Sequence, residues 1–158
     1  MNFSDRISLR AVRLEDDAFL FELYVQGAGA KFRALGLPAD QLEGLLRMQY
    51  RAQQGQYRAR FQDGRFALVL ADGIPVGQWY TAYRPDEIIV VDVSLLPNIR
   101  AGMGRYLVKS LITEAQLMHV SIRAHVEKSN RAWNLWRRLG FRIEGEDDVY
   151  FAIEWRPG

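Results

Sequence analysis

Residues 90–105 read Val-Val-Asp-Val-Ser-Leu-Leu-Pro-Asn-Ile-Arg-Ala-Gly-Met-Gly-Arg and form the most informative stretch of the chain. The first part is an almost continuous apolar run, which is typical of a strand covered on both faces. Gly102 and Gly104 follow it, and apolar residues at helical spacing begin at Met103. The stretch therefore predicts a buried strand, a short basic and glycine-rich turn, and a helix.

Such a turn suits a bulky anion, because glycine lets the backbone come close and free amides at a helix start point towards the ligand. Arg100 and Arg105 add positive charge. Two other phosphate motifs do not fit: Arg105-Tyr106 stand where a P-loop has Lys-Ser/Thr, and Leu107 replaces the third glycine of a dinucleotide-binding fingerprint. From these residues alone, a pyrophosphate site and a simple tight strand-to-helix turn both remain open.

A second motif occupies residues 127–141, which read Glu-Lys-Ser-Asn-Arg-Ala-Trp-Asn-Leu-Trp-Arg-Arg-Leu-Gly-Phe. Together the two stretches resemble the GNAT acetyltransferase superfamily over about residues 6–156. The first resembles its acetyl-CoA motif, Arg/Gln-x-x-Gly-x-Gly/Ala after a strand, and Gly77 sits where the family often carries Val-Gly. The second resembles its Asn-x-Ala-x-x-Leu-Tyr-x-x-Leu-Gly-Phe helix, with matches at Asn130, Ala132, Leu135, Leu139, Gly140 and Phe141.

The resemblance implies an α/β fold of the acyl-CoA N-acyltransferase type. Its central sheet is mixed but mostly antiparallel, splayed after the fourth strand, which ends near Leu95, and flanked by four helices. Hydrophobic patterns predict the order β-α-α-β-β-β-α-β-α-β-β, and since no linker divides the chain, residues 1–158 are expected to form a single N-acetyltransferase domain. The predicted strands are 7–12, 66–70, 74–83, 88–96, 121–127, 141–143 and 149–155, and the predicted helices lie around 19–24, from Pro38 to Gly55, after Gly104, and over 129–139.

The function that the resemblance implies is transfer of the acetyl group of acetyl-CoA, the cosubstrate, to an amine of a small molecule or peptide by direct attack. The pantetheine arm of acetyl-CoA would pair with backbone of the buried strand, and the pyrophosphate would lie on the turn. The implied cosubstrate-binding residues are Val93, Ser94 and Leu95 for the arm, Arg100, Ala101, Gly102, Met103, Gly104 and Arg105 for the pyrophosphate, Asn130 as a hydrogen-bonding partner, and Trp136 packed beside the cosubstrate.

Two departures from the family pattern keep a second function open. Only Ala101 separates Arg100 from Gly102, where the family has two residues, so either the loop is one residue shorter or Ile99 takes the arginine position. Trp136 stands where the family usually has a tyrosine credited with protonating the departing thiolate, and an indole N–H is not an acid. A non-catalytic acyl-CoA-binding or interaction module with the same fold therefore remains the alternative to an active enzyme.

Asp92 and Tyr150 are the candidate catalytic residues. Asp92 is a lone carboxylate in an apolar strand, which suits either a base that deprotonates the amine, directly or through water, or a structural carboxylate capping a neighbouring loop. Tyr150 is a candidate for the missing acid, with core packing as the alternative. His125, on a core strand, is expected to be a satisfied structural histidine rather than a catalyst.

Composition excludes several other classes. The 158 residues include no cysteine and two histidines, so thiol chemistry is absent and no metal is expected. The 21 basic and 19 acidic residues form no basic run, which argues against nucleic acid. The longest apolar run is too short for a membrane span, and no signal-peptide pattern is present, so a cytoplasmic location is expected. The acceptor amine, and whether the chain forms a homodimer, are not encoded in any pattern.

Overall fold

The computed structural model describes residues 3–99 and 102–158, and within them the helices and strands follow the predicted order. Three 3-10 segments are added, of which Ala28–Leu35 is the longest. The elements are β1 (Ile7–Ala11), α1 (Asp17–Gln26), α2 (Ala39–Arg60), β2 (Gly64–Ala71), β3 (Ile74–Tyr83), β4 (Glu87–Leu95), α3 (Met103–Met118), β5 (Ser121–Glu127), α4 (Ala132–Arg138), β6 (Arg142–Glu146) and β7 (Tyr150–Trp155).

The strands form one mixed sheet in the order β1-β2-β3-β4-β5-β7-β6. β4 and β5 are parallel, and their register runs from Glu87↔Ser121 to Val90↔Ala124, in the first half of β4. The pairs β1/β2, β5/β7 and β6/β7 are antiparallel. The predicted fold class, a mostly antiparallel sheet with flanking helices, is therefore confirmed.

The chain divides into two compact units, and β3 and β4 contribute residues to both. The first unit comprises residues 3–80 and Asp92–Ile99. Its core is built where α1 and α2 supply apolar side chains at helical spacing and β2 adds a fully buried leucine. The members of this core are Leu20, Phe21, Tyr24, Leu46, Tyr50 and Leu68.

The second unit comprises Thr81–Val91 and residues 102–158. Along α3, residues at helical spacing are buried, and along β5 every second residue is buried, as a strand with one covered face requires. These buried residues are Met103, Leu107, Val108, Leu111 and Ala115 in α3, and Ile122, Ala124 and Val126 in β5.

Helix α2 is longer than predicted. It begins after Pro38, as expected, but it continues through Gly55 to Arg60. Glycine in a helix interior costs only about 1 kcal/mol, which tertiary contacts can offset. Tyr57 supplies such a contact, because its ring packs edge-on against Tyr80 with centroids 5.9 Å apart. Although α2 has 22 residues, no helix in the described ranges is long and apolar enough to cross a membrane.

Helix α4 is shorter than predicted, covering Ala132–Arg138 instead of 129–139. The reason is that residues 128–131 form a turn in which the backbone N–H of Asn130 donates to the Glu127 carbonyl oxygen at 2.9 Å. The helix ends at Arg138, and the chain turns just beyond it at Gly140, whose φ of +103° is a left-handed conformation that favours glycine.

Candidate active site

The first unit holds a carboxylate surrounded by hydrogen-bond donors. Asp92 lies in β4, and its Oδ2 accepts a hydrogen bond from the Nε2 of Gln78 on β3. The hydroxyl groups of Tyr57 and Ser94 and the backbone N–H of Val93 also donate to this carboxylate. Helix α2 and strands β3 and β4 therefore all contribute to fixing a single acidic group.

Burial determines the titration of Asp92. The residue keeps part of its surface accessible, yet its carboxyl group lies deep enough for burial to raise its pKa to about 6, although the hydrogen bonds from Gln78, Tyr57, Val93 and Ser94 act in the opposite direction. A carboxylate with such a pKa is mostly ionised at neutral pH and still takes up a proton readily. That is the property required of a general base.

Aromatic rings pack beside this carboxylate. Tyr80 is fully buried, which raises the pKa of its hydroxyl to about 12, and the hydroxyl donates to Gln54 Oε1 at 2.9 Å. Phe66 packs edge-on against Tyr80 with centroids 5.0 Å apart, and the guanidinium carbon of Arg58 lies 4.2 Å from the centre of the Phe66 ring. The Arg58 guanidinium therefore packs on an aromatic ring.

Gly77 allows β3 and β4 to approach closely beside Ser94. A Cβ at this position would collide with the Ser94 carbonyl oxygen and would lie 2.5 Å from Leu95 Cδ2. The two strands are joined there by the Leu96 N–H, which donates to the Val76 carbonyl oxygen at 2.8 Å. The glycine noted in the sequence is therefore required by backbone packing at the predicted pantetheine strand.

The second unit contains the described part of the predicted pyrophosphate turn. Gly102 has a φ of +91° and precedes the first turn of the 16-residue helix α3. Met103 is buried, Gly104 is partly exposed and Arg105 is exposed. Arg100 and Ala101 lie outside the described residues.

Asn130 and Trp136 have local structural partners in the second unit. The Oδ1 of Asn130 accepts a hydrogen bond at 2.9 Å from the N–H of Ala132, the first residue of α4. Trp136 is 7% exposed and packs edge-on against Phe141 with centroids 4.8 Å apart. Their predicted contacts with acetyl-CoA remain predictions.

Tyr150 and His125 are both exposed. Tyr150 is 40% exposed, so it is not a core residue, and its backbone N–H donates to Asp147 Oδ1 at 2.7 Å. The expectation of a satisfied core histidine at position 125 is wrong, because β5 alternates and His125 lies on its exposed face. Among residues 3–99 and 102–158, no three acidic or histidine side chains are grouped to hold a metal ion.

Sequence reasoning missed two residues that surround Asp92. Tyr57 falls beyond the glycine at which α2 was expected to end, so no pattern indicated its contact with the strand. Gln78 is a polar residue in an otherwise apolar strand, the same signal that identified Asp92, and it could have been paired with that carboxylate.

Comparison with known proteins decides the family. A family model described as the acetyltransferase (GNAT) family matches residues 37–141, more than half of the 158-residue chain. The chain belongs to the acetyltransferase (GNAT) family. It is therefore an acyltransferase of the kind that transfers an acetyl group from acetyl-CoA to an amine.

Solved structures share this GNAT fold. The N-acetyltransferase PaiA from Thermoplasma acidophilum, in complex with coenzyme A, has a TM-score of 0.69 at 18% identity, covering 95% of this chain and 98% of that one. The N-acetyltransferase PseH from Campylobacter jejuni, in complex with acetyl coenzyme A, has a TM-score of 0.62 at 16% identity, covering 96% and 99%. The ribosomal-protein-S18-alanine N-acetyltransferase from Escherichia coli has a TM-score of 0.63 at 17% identity, covering 95% and 93%. Among curated proteins, no sequence matches this chain significantly.

Proposed function

We propose that this GNAT protein acetylates an amine of a small molecule or peptide by direct attack on acetyl-CoA, with Asp92 as the general base. The observation that carries the proposal is the carboxylate of Asp92, which three side chains from α2, β3 and β4 hold in place and which has a pKa of about 6. A general base works best when its pKa lies near the working pH.

The proposed reaction requires few groups of the protein. The amine nitrogen forms a bond to the thioester carbon, and its proton passes to the Asp92 carboxylate, directly or through one water molecule. The carbon–sulfur bond then breaks and coenzyme A leaves as a thiolate. A thiol resembling that of cysteine has a pKa of about 8.5, so the thiolate is a tolerable leaving group near neutral pH. Tyr150 is our candidate for its protonation, since Trp136 has no acidic proton.

Two segments of the chain are our candidates for holding acetyl-CoA. Backbone amides at the start of α3, next to Gly102 and Gly104, would hold the pyrophosphate, because a helix N-terminus attracts negative charge. Residues 93–95 of β4 would pair with the pantetheine arm, which would bring the thioester near Asp92. The complexes of PaiA with coenzyme A and of PseH with acetyl coenzyme A support this choice of acetyl donor.

A panel of amines tests the proposal, with aminoglycosides, polyamines, amino acids and peptides as the acceptors. We expect at least one acceptor to yield free coenzyme A and acetylated amine in equal amounts. For that acceptor, initial rates measured over a grid of both substrate concentrations should give intersecting double-reciprocal lines, since direct attack requires both substrates to be bound together. Parallel lines, or an acetylated protein intermediate, would contradict direct attack. If acetyl-CoA bound to the protein but no amine yielded a product, the proposed acetylation would be contradicted.

A further inference from the structure

Gln78 is a buried polar side chain that the proposed reaction does not yet use. It is 4% exposed, in a part of β3 where Trp79 and Tyr80 are also buried. Burying an amide costs free energy unless the amide is hydrogen-bonded. Its Nε2 donates to Asp92 Oδ2, so the side chain is directed at the proposed base.

The chemistry of an amide suits this contact. A glutamine side chain has no charge to gain or lose, so its N–H donates at every working pH, and a hydrogen bond to a carboxylate favours the ionised form. The contact also fixes the orientation of the carboxylate, because β3 and β4 hold both residues at a constant separation. Gln78 can therefore act on Asp92 without touching a substrate.

We propose that Gln78 is a positioning residue, whose amide holds the Asp92 carboxylate ionised and oriented to accept the proton of the incoming amine. This inference rests on the proposed function only in the part that concerns catalysis. The effect of Gln78 on Asp92 itself is separable, because it can be measured without any substrate.

The other groups around Asp92 come from the elements that pack against it. Helix α2 supplies the Tyr57 hydroxyl, β4 supplies the Ser94 hydroxyl, and β3 supplies Tyr80, whose pKa is raised by burial and further by the charge of Asp92. Arg58 of α2 acts on Tyr80 and lowers the pKa of its hydroxyl. These groups remain in a Gln78 variant, so a change in the Asp92 titration reports on the missing amide.

The first experiment follows the carboxyl carbon of Asp92 by NMR between pH 4 and pH 9, with the resonance assigned from Asp92→Asn. Gln78→Met keeps the length of the side chain and removes the donor. We expect the midpoint of the titration to rise by about one to two pH units, the usual contribution of a hydrogen bond to a charged group. Gln54→Met is the matched control, because Gln54 accepts a hydrogen bond from Tyr80 and makes none to Asp92 in the described contacts. In this variant, the midpoint of the Asp92 titration should stay at the wild-type value.

Gln78→Glu is the second variant, in case Gln78→Met does not fold. It keeps the shape of the side chain and places a second carboxyl group beside Asp92. Because two neighbouring carboxylates do not ionise independently, we expect the pair to titrate with an apparent midpoint above the wild-type one. A midpoint within experimental error of wild type in either folded variant would overturn the proposal.

Activity gives the catalytic half of the test. In Gln78→Met, the acid limb of kcat/KM against pH should move upward by the same interval as the NMR midpoint, so that the rate is about tenfold lower at pH 6 and close to wild type at pH 9. An equal loss at all pH values would instead indicate general damage and would contradict the positioning role. The NMR midpoint could move in Gln78→Met although neither the wild type nor this variant acetylates any amine. In that case the effect of Gln78 on Asp92 stands and the proposed function fails.

Discussion

The carboxyl group of Asp92 titrates in a different range in the fold and in the unfolded chain. Burial raises its pKa to about 6 in the fold, whereas the ordinary value is about 3.9. The folded state therefore binds the proton more tightly. The stability that this group contributes is fully present below about pH 4 and is lost as the pH rises through about 6. A carboxylate kept to stabilise a loop would have the opposite dependence.

The direction in which the stability contributed by Asp92 changes with pH gives a prediction for Asp92→Asn. We expect the free energy of unfolding to rise by about 1–3 kcal/mol at pH 8, where the wild-type carboxylate is ionised and buried, and to change little at pH 4. Urea denaturation at the two pH values measures it. Asp86→Asn, in an exposed turn, is the control and should behave as wild type at both. A loss of more than about 1 kcal/mol at pH 8 in Asp92→Asn would favour the structural role.

Trp136 is the residue at which the chain departs from the tyrosine of its family. A phenol in its place would supply the acid that indole lacks, and general-acid help contributes about 10²–10⁴-fold. We therefore expect Trp136→Tyr to raise turnover on a confirmed acceptor at saturating acetyl-CoA. Trp133→Tyr is the matched control, since Trp133 lies on the same helix and packs on Phe151 with centroids 5.8 Å apart. An equal or lower rate for a folded Trp136→Tyr would mean that protonation is supplied elsewhere.

At the scale of elements, the first turn of α3 carries the proposed pyrophosphate site. A glutamate at position 104 would fill space beside the phosphates and would oppose their charge. At a concentration 100 times the dissociation constant, acetyl-CoA should stabilise the wild-type protein by about 2.7 kcal/mol. We expect Gly104→Glu to show no such gain in a melting experiment, while its circular dichroism stays that of wild type. A normal gain would place the pyrophosphate elsewhere.

The turn between β1 and α1 depends on an ion pair. Asp16 is 6% exposed, and its Oδ1 and Oδ2 accept hydrogen bonds from the Arg10 guanidinium at 2.8 Å and 2.7 Å. The bonds from Arg10 are the largest cause that lowers the pKa of Asp16 to about 2, and the Arg13 backbone N–H adds to them. A lowered pKa contributes stability that is present above about pH 4 and is lost as the pH falls towards 2.

We therefore expect Asp16→Asn to lower the free energy of unfolding by about 2 kcal/mol at pH 7 and to have almost no effect at pH 2. Urea denaturation at both pH values checks this, again with Asp86→Asn as the control. A loss that is equal at the two pH values would show that packing, and not the charge of Asp16, stabilises the turn.

Local chemistry explains which elements the sequence predicts well. The Asp72-Gly73 pair has φ values of +52° and +82°, the left-handed conformation expected of this turn, and the strands on either side follow as predicted. The ends of α2 and α4 are predicted less well, because they depend on contacts distant in sequence or on hydrogen bonds in the preceding turn. Tyr57 and Asn130 provide those interactions, and neither leaves a periodic signal.

In the candidate site, too, local sequence predicts some features and contacts distant in sequence determine the others. The sequence makes Asp92 a candidate because a lone carboxylate in an apolar strand needs a partner, and the structure supplies donors to it. Which residues donate could not be read from the sequence, since the pairing of Gln78 with Asp92 follows from how β3 and β4 lie beside each other. Spacing along one strand carries no information about the neighbouring strand.

At the scale of the whole molecule, the similarity in fold extends beyond the segment that the family model matches. The family model matches residues 37–141, which runs from the start of α2 to the residue before β6. The PaiA structure extends the similarity in fold to 95% of the chain. Asp92 and the residues that donate to it all lie within the matched segment.

The pH dependence of kcat/KM for acetyl transfer, measured for the wild-type enzyme and for Asp92→Asn on the same amine, tests the role of Asp92 most directly. We predict that the wild-type rate falls about tenfold per pH unit below a pKa of about 6, because the base becomes protonated. Asp92→Asn should be slower by about 10²–10⁴-fold at pH 8 and should show no break near pH 6. A folded Asp92→Asn that keeps the wild-type rate and the wild-type break would contradict the account.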